Sequence, residues 1–186
     1  MVRNRSRLRT SNMSHSLISR HRPLPLAPRP FEAEVLGGWI GRIASRYRMS
    51  VQEFAATCEL DLQMPDGREW LLMPKLKQQM VDHLAALTRI STQDIYEIQA
   101  PLYWEGRRTH FCYCARCVFL NPLDVTAPIW RREWLDQSQP GCSVHGDEFQ
   151  TLPAGRVVAC TNLDKLLAMV SRKEQDIRFG VMTRAR

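Results

Sequence analysis

Two short spacings constrain this chain more than anything else in it. Cys114 and Cys117 are two residues apart, and so are Cys142 and His145. A two-residue gap lets both side chains of a knuckle converge on one ion while backbone amides face the thiolates, and two knuckles complete a tetrahedral set. Twenty-four residues lie between them, a length usual for zinc ribbons and related fingers. The expectation is one structural Zn2+ held by Cys114, Cys117, Cys142 and His145. Free buried cysteines would have to produce both spacings by coincidence. Six cysteines in a reducing compartment also read better as metal ligands than as disulfides. His110 and Cys112 lie beside the first knuckle. Cys112 could replace Cys114, but its one-residue gap fits a knuckle less well, so both are read as non-ligands. Cys58 and Cys160 are read as small core hydrophobes, and His83 as an ordinary helix residue.

No catalytic chemistry is expected. A catalytic zinc keeps one position open for water and needs a nearby general base, whereas four ligands are already assigned here. The zinc-deaminase pattern is missing, as are a Walker lysine loop and a nucleophile elbow. Gly37-Gly38-Trp39-Ile40-Gly41 falls inside a helical period and is not a phosphate loop.

The net charge of +7 suggests a nucleic-acid protein until it is divided by region. Residues 1–22 hold six arginines (Arg3, Arg5, Arg7, Arg9, Arg20 and Arg22) and no acid, giving +6. Residues 172–186 give +3, and the intervening 23–171 give −2. The positive charge lives in the tails. Residues 1–22 are expected to form a disordered basic arm. It reads as a phosphate-binding tail, an organelle transit peptide, or a solvated extension upstream of a start at Met13. There is no run of about eighteen apolar residues and no secretory apolar stretch, so no membrane span and a cytoplasmic location are expected.

A proline-rich lead-in over residues 23–30 is extended rather than helical. The helical period then switches on: Val35, Leu36, Trp39, Ile40, Ile43, Ala44 and Tyr47 share one face, with Gly37, Gly38, Arg42, Ser45 and Arg46 on the other. Ser50 starts a second helix with Glu53 in a capping box, and Met64-Pro65-Asp66-Gly67 makes a polar turn. The same grammar recurs 41 residues later, with Ile90 for Met49 and Ser91 for Ser50. This reads as a duplicated helix-turn-helix unit. Arg48 and Arg89 occupy the two turns, where glycine would be the cheaper residue. They are either phosphate contacts placed by the repeat or solvated arginines favoured by the helix dipole.

Trp130 and Trp134 stand at helical spacing between the knuckles and wall the core behind the metal, or else form a partner-binding aromatic face. Arg131 and Arg132, between them, are the candidate partner-binding side chains. The fold expected is mainly α with a small zinc-finger or ribbon subdomain. The divisions are a basic arm (1–22), a lead-in with two helix-turn-helix units (23–108), a zinc finger (109–153), and a C-terminal helix with basic tail (154–186).

Together these segments resemble the TniQ family of transposition proteins. Its signature, Gly-Glu-Ser-Leu-x-x-Trp-Leu-x-Arg-Leu-Ala, is similar to Ala33-Glu34-Val35-Leu36-Gly37-Gly38-Trp39-Ile40-Gly41-Arg42-Ile43-Ala44. Its finger, Cys-Pro-x-Cys, Trp-x-x-x-Trp and Cys-Pro-x-His-Gly, is similar to Cys114, Cys117, Trp130, Trp134, Cys142, His145 and Gly146, with Ala115 and Ser143 in place of the prolines. The resemblance implies a non-catalytic adaptor in a bacterial, nucleoid-associated setting. It would link a target-site reader, either DNA or an RNA-guided CRISPR complex, to an AAA+ ATPase that recruits the transposase. Other readings are a solitary zinc scaffold with no transposon partner and a helix-turn-helix or zinc-finger transcription regulator. Its second helices would begin Val51-Gln52-Glu53 and Thr92-Gln93-Asp94, thin material for reading bases.

Overall fold

The computed structural model describes residues 22–62, 64, 70–104, 108–120 and 129–178. Three glycines in eleven residues should weaken a helix, yet Leu36–Arg46 forms one, α1, buried from Leu36 through Ala44. Close packing explains it. A Cβ on Gly37 would fall 2.1 Å from the Trp70 carbonyl oxygen, and one on Gly41 would fall 2.6 Å from the Trp70 ring. The single-turn helix Trp70–Leu72 therefore lies directly on α1. The face expected to hold Gly37, Gly38 and Arg42 away from the core is itself core; one apolar stripe understated the burial of α1 because glycines carry no hydrophobic signal.

Helix α2 (Val51–Thr57) packs on α1, while α3 (Gln78–Thr88) and α4 (Thr92–Glu97) pack on each other. The turn into α2 contains Arg48 at φ 57°, and α3 ends on Arg89 at φ 58°, both in the left-handed region. Ser50 accepts from the Glu53 amide while the Glu53 carboxylate accepts from the Ser50 amide at 2.8 Å, a complete capping box. Ser91 caps α4 by accepting from the Asp94 amide at 3.0 Å. The expected turn at 64–67 lies outside the described residues apart from Met64.

The lead-in is a strap, not a helix. The Leu24 amide donates to the Leu87 carbonyl (2.7 Å) and the Leu26 amide to the Tyr47 hydroxyl (3.1 Å). The Trp39 indole donates to the Pro28 carbonyl at 2.8 Å. The strap thus ties the C-terminal ends of α1 and α3 before feeding into α1.

Beyond the helix pairs, β1 (His110–Tyr113) leads into α5 (Ala115–Leu120) and pairs antiparallel with β2 (Gln150–Pro153), Phe111 opposite Leu152. Two helices follow, α6 (Ala154–Ala159) and α7 (Leu163–Arg178). Leu163, Leu166 and Val170 of α7 are fully buried, with α7 packed on α1. The Trp70 indole donates to the Cys160 carbonyl (2.7 Å), and the Val51 amide donates to the Thr161 carbonyl (2.8 Å). One hydrophobic cluster joins helices, finger and C-terminal segment from Val35 to Val170.

Candidate metal centre

Strand β1 ends at Tyr113, so Cys114 enters the first turn of α5 and Cys117 follows one turn on. The second knuckle is a tight turn: the Cys142 amide donates to the Asp147 carbonyl (2.9 Å), and the Gly146 amide donates to the Cys142 carbonyl (2.8 Å). Gly146 sits at φ 69°, a backbone that side chains resist, which is why glycine follows His145. The two turns face each other. Sγ of Cys114 lies 3.5 Å from Nδ1 of His145, Sγ of Cys117 lies 3.3 Å from it, and Sγ of Cys142 lies 3.7 Å from it. The Cys117 and Cys142 sulfurs are 3.5 Å apart.

All four ligand atoms lie within 4.8 Å of one another. Bonds of 2.0–2.3 Å to one tetrahedral ion require edges of roughly 3.5–3.8 Å, so the cluster could hold one metal ion with Nδ1 of His145 as the nitrogen ligand. Burial pushes the Cys114 and Cys117 thiols up from their ordinary range, and the neighbouring cysteines push Cys117 further. A dication held by these four residues would reverse that balance by stabilising the thiolates. His110 is exposed on β1 and Cys112 pairs across the sheet with Thr151, so neither joins the four. Cys58 and Cys160 are buried apart from it.

Behind the cluster, Trp130 and Trp134 are buried and meet edge to face at 5.2 Å. They wall the core as expected, but not from one α-helix. Trp130 lies in an extended segment whose Arg131 bridges Glu34, and Trp134 lies in the single-turn helix Arg132–Leu135. The Val35 amide donates to the Trp130 carbonyl (3.0 Å) and the Arg132 amide to the Ala33 carbonyl (2.7 Å), clamping the finger to the start of α1. Arg131 and Arg132 are half-buried. Arg131 pairs with Glu133 at 2.8 Å, the Ser143 hydroxyl donates to Glu133, and Arg132 donates to the Glu97 carbonyl.

Two buried polar pairs escaped the sequence reading. Arg42, 2% exposed, donates to both carboxylate oxygens of the fully buried Glu34, at 3.0 and 2.6 Å. It also donates to the Arg29 carbonyl (2.8 Å) and lies 4.9 Å from the Phe31 ring centroid. A lone arginine among glycines and apolar residues was the available signal. Tyr113 donates to Glu174 at 2.6 Å across 61 residues, a contact no local pattern announces. Of the candidate phosphate contacts, Arg22, Arg48 and Arg89 are exposed, while Arg3, Arg5, Arg7, Arg9 and Arg20 lie outside the described residues.

Among the described residues no helix is long and apolar enough to cross a membrane. The family model described as TniQ matches residues 25–148. No curated protein and no solved structure matches the chain.

Proposed function

The chain belongs to the TniQ family, and from that premise we propose that it is a non-catalytic adaptor in DNA transposition. It links a target-site reader, DNA or an RNA-guided CRISPR complex, to an AAA+ ATPase that recruits the transposase. The observation that carries this reading is the use made of the family signature. Glu34, Leu36, Trp39, Arg42 and the Cys3His cluster all serve to build the body, which leaves its surface for partners rather than for a reaction.

The ion in the cluster is zinc, in one copy per chain. A thiolate-rich tetrahedral set favours it, and three sulfurs with one nitrogen leave no position for water, so its contribution is folding energy. The two helix pairs are a repeated helix-turn-helix unit used as scaffold. Gln52, Glu53, Gln93 and Asp94 are exposed at the starts of α2 and α4, a set too acidic for major-groove reading by a transcription regulator. DNA is met mainly through phosphates by the basic arm. Arg131 and Arg132 would have to release Glu133 and the Glu97 carbonyl to serve as partner contacts.

Pull-down of an AAA+ transposition ATPase, with nucleotide and DNA present, tests the adaptor role. Capture by the folded, metal-loaded chain is expected. No capture under those conditions contradicts it.

A further inference from the structure

Three non-glycine residues among those described adopt the left-handed backbone, and two of them are arginines at matching places, Arg48 and Arg89. The third, Glu59, follows α2. L-residues resist this conformation because Cβ crowds the following carbonyl, and glycine would relieve it. The helix dipole favours a cation near a helix C-terminus, but that preference is met equally well one or two residues earlier, at ordinary φ. Both turns nevertheless present arginine at the strained position. Both side chains are exposed, and neither makes an ion pair or side-chain hydrogen bond among the described residues. Strain kept at matched exposed cations points to a use outside the fold.

The strap supplies the second observation. Its hydrogen bonds hold Leu24 on Leu87, two residues before Arg89, and Leu26 on Tyr47, one residue before Arg48. Arg22, exposed and also without a side-chain partner among the described residues, is two residues from Leu24. Two residues of chain reach at most about 7 Å, so the strap runs from beside the Arg89 turn to the Tyr47 hydroxyl, along the end of the body where α1 and α3 terminate, with Arg22 just before its first anchor. Glu53, the acid nearest Arg48 in α2, is turned back onto the Ser50 amide and hydroxyl at 2.8 Å.

We infer that this end, with Arg22, Arg48 and Arg89 at its centre, is a surface for the phosphate backbone of duplex DNA. The two turn arginines extend the contact of the arm onto the folded body and fix where the duplex lies. The inference rests on the phosphate reading above and adds to it a place and an orientation.

The test is Arg48→Gly with Arg89→Gly, since glycine removes each cation and suits each backbone. The double variant should melt at or above the wild-type temperature, so weaker binding cannot be blamed on unfolding. Binding of a scrambled-sequence DNA duplex is followed by fluorescence anisotropy over a salt series. Losing two phosphate contacts should lower the slope of log K against log salt by about 1.8, and affinity at ~0.1 M salt by roughly tenfold or more. An unchanged slope in the double variant overturns the inference while leaving the adaptor role intact. Wild type that binds no duplex even at ~50 mM salt overturns it too. Loss of ATPase capture by the double variant would instead show these arginines serving the protein partner, and equal capture is expected.

Discussion

Arg42 brings a full charge into a site 2% exposed, and the carboxylate of Glu34 is what makes that tolerable. A buried ion pair adds little net stability against an apolar replacement, but removing one partner leaves the other uncompensated. Arg42→Met should therefore destabilise the fold by roughly 3–5 kcal/mol in chemical denaturation, and Glu34→Gln in the same chain should recover most of it. Burial pushes the Glu34 carboxyl up, against the opposing pull of Arg42. Without Arg42 it rises further, so the loss in Arg42→Met should shrink as pH falls and Glu34 takes up its proton, and grow toward neutrality. Denaturation midpoints at several pH values check the sign. The glycines make a sharper contrast. Gly37→Ala drives a methyl against backbone atoms of Trp70 and Leu71, an overpacking expected to cost roughly 1–3 kcal/mol. Gly155→Ala in α6 meets nothing within 4 Å and should be neutral or stabilising by up to about 1 kcal/mol.

Among the elements, what could be read in advance was local. The capping serines, the turns at Arg48 and Arg89, the non-helical lead-in and the two knuckles each depend on residues within a few positions of one another. Their sequence spacing is therefore their geometry. The strap's anchorage on Leu87 and Tyr47, the Tyr113–Glu174 bond and the docking of α7 on α1 join residues 21 to well over 100 positions apart, beyond any local pattern. Trp130 and Trp134 mislead for the same reason: a four-residue spacing mimics a helix, while the bridge to Glu34 holds one of them in extended chain. The capping box gives a test at this scale. Hydrogen bonds from the Ser50 amide and hydroxyl hold the Glu53 carboxyl below its ordinary range. A depressed carboxyl contributes stability that is present above the unfolded value and lost as pH falls through the folded one. Glu53→Gln can still accept from the Ser50 amide but cannot titrate. Its acid-side decline in stability should be shallower than that of wild type, as thermal melts between pH 2 and 6 would show.

At the scale of the whole molecule, finger and helices share one core rather than hanging as beads. The clamp of Ala33 and Val35 on Arg132 and Trp130 joins them, and α7, beyond the finger, returns to α1. The proposed adaptor role would benefit from that rigidity, because partners bound on different faces would then keep a fixed relation. The four-ligand cluster sits where the finger closes, so the metal should support the entire body and not only its own turns. Zinc-to-protein stoichiometry in wild type and in Cys117→Ser, purified side by side without added metal, tests this most directly. One zinc per chain in wild type and none in Cys117→Ser is the expected result. A wild type without zinc, or a Cys117→Ser protein carrying a full equivalent, would contradict it.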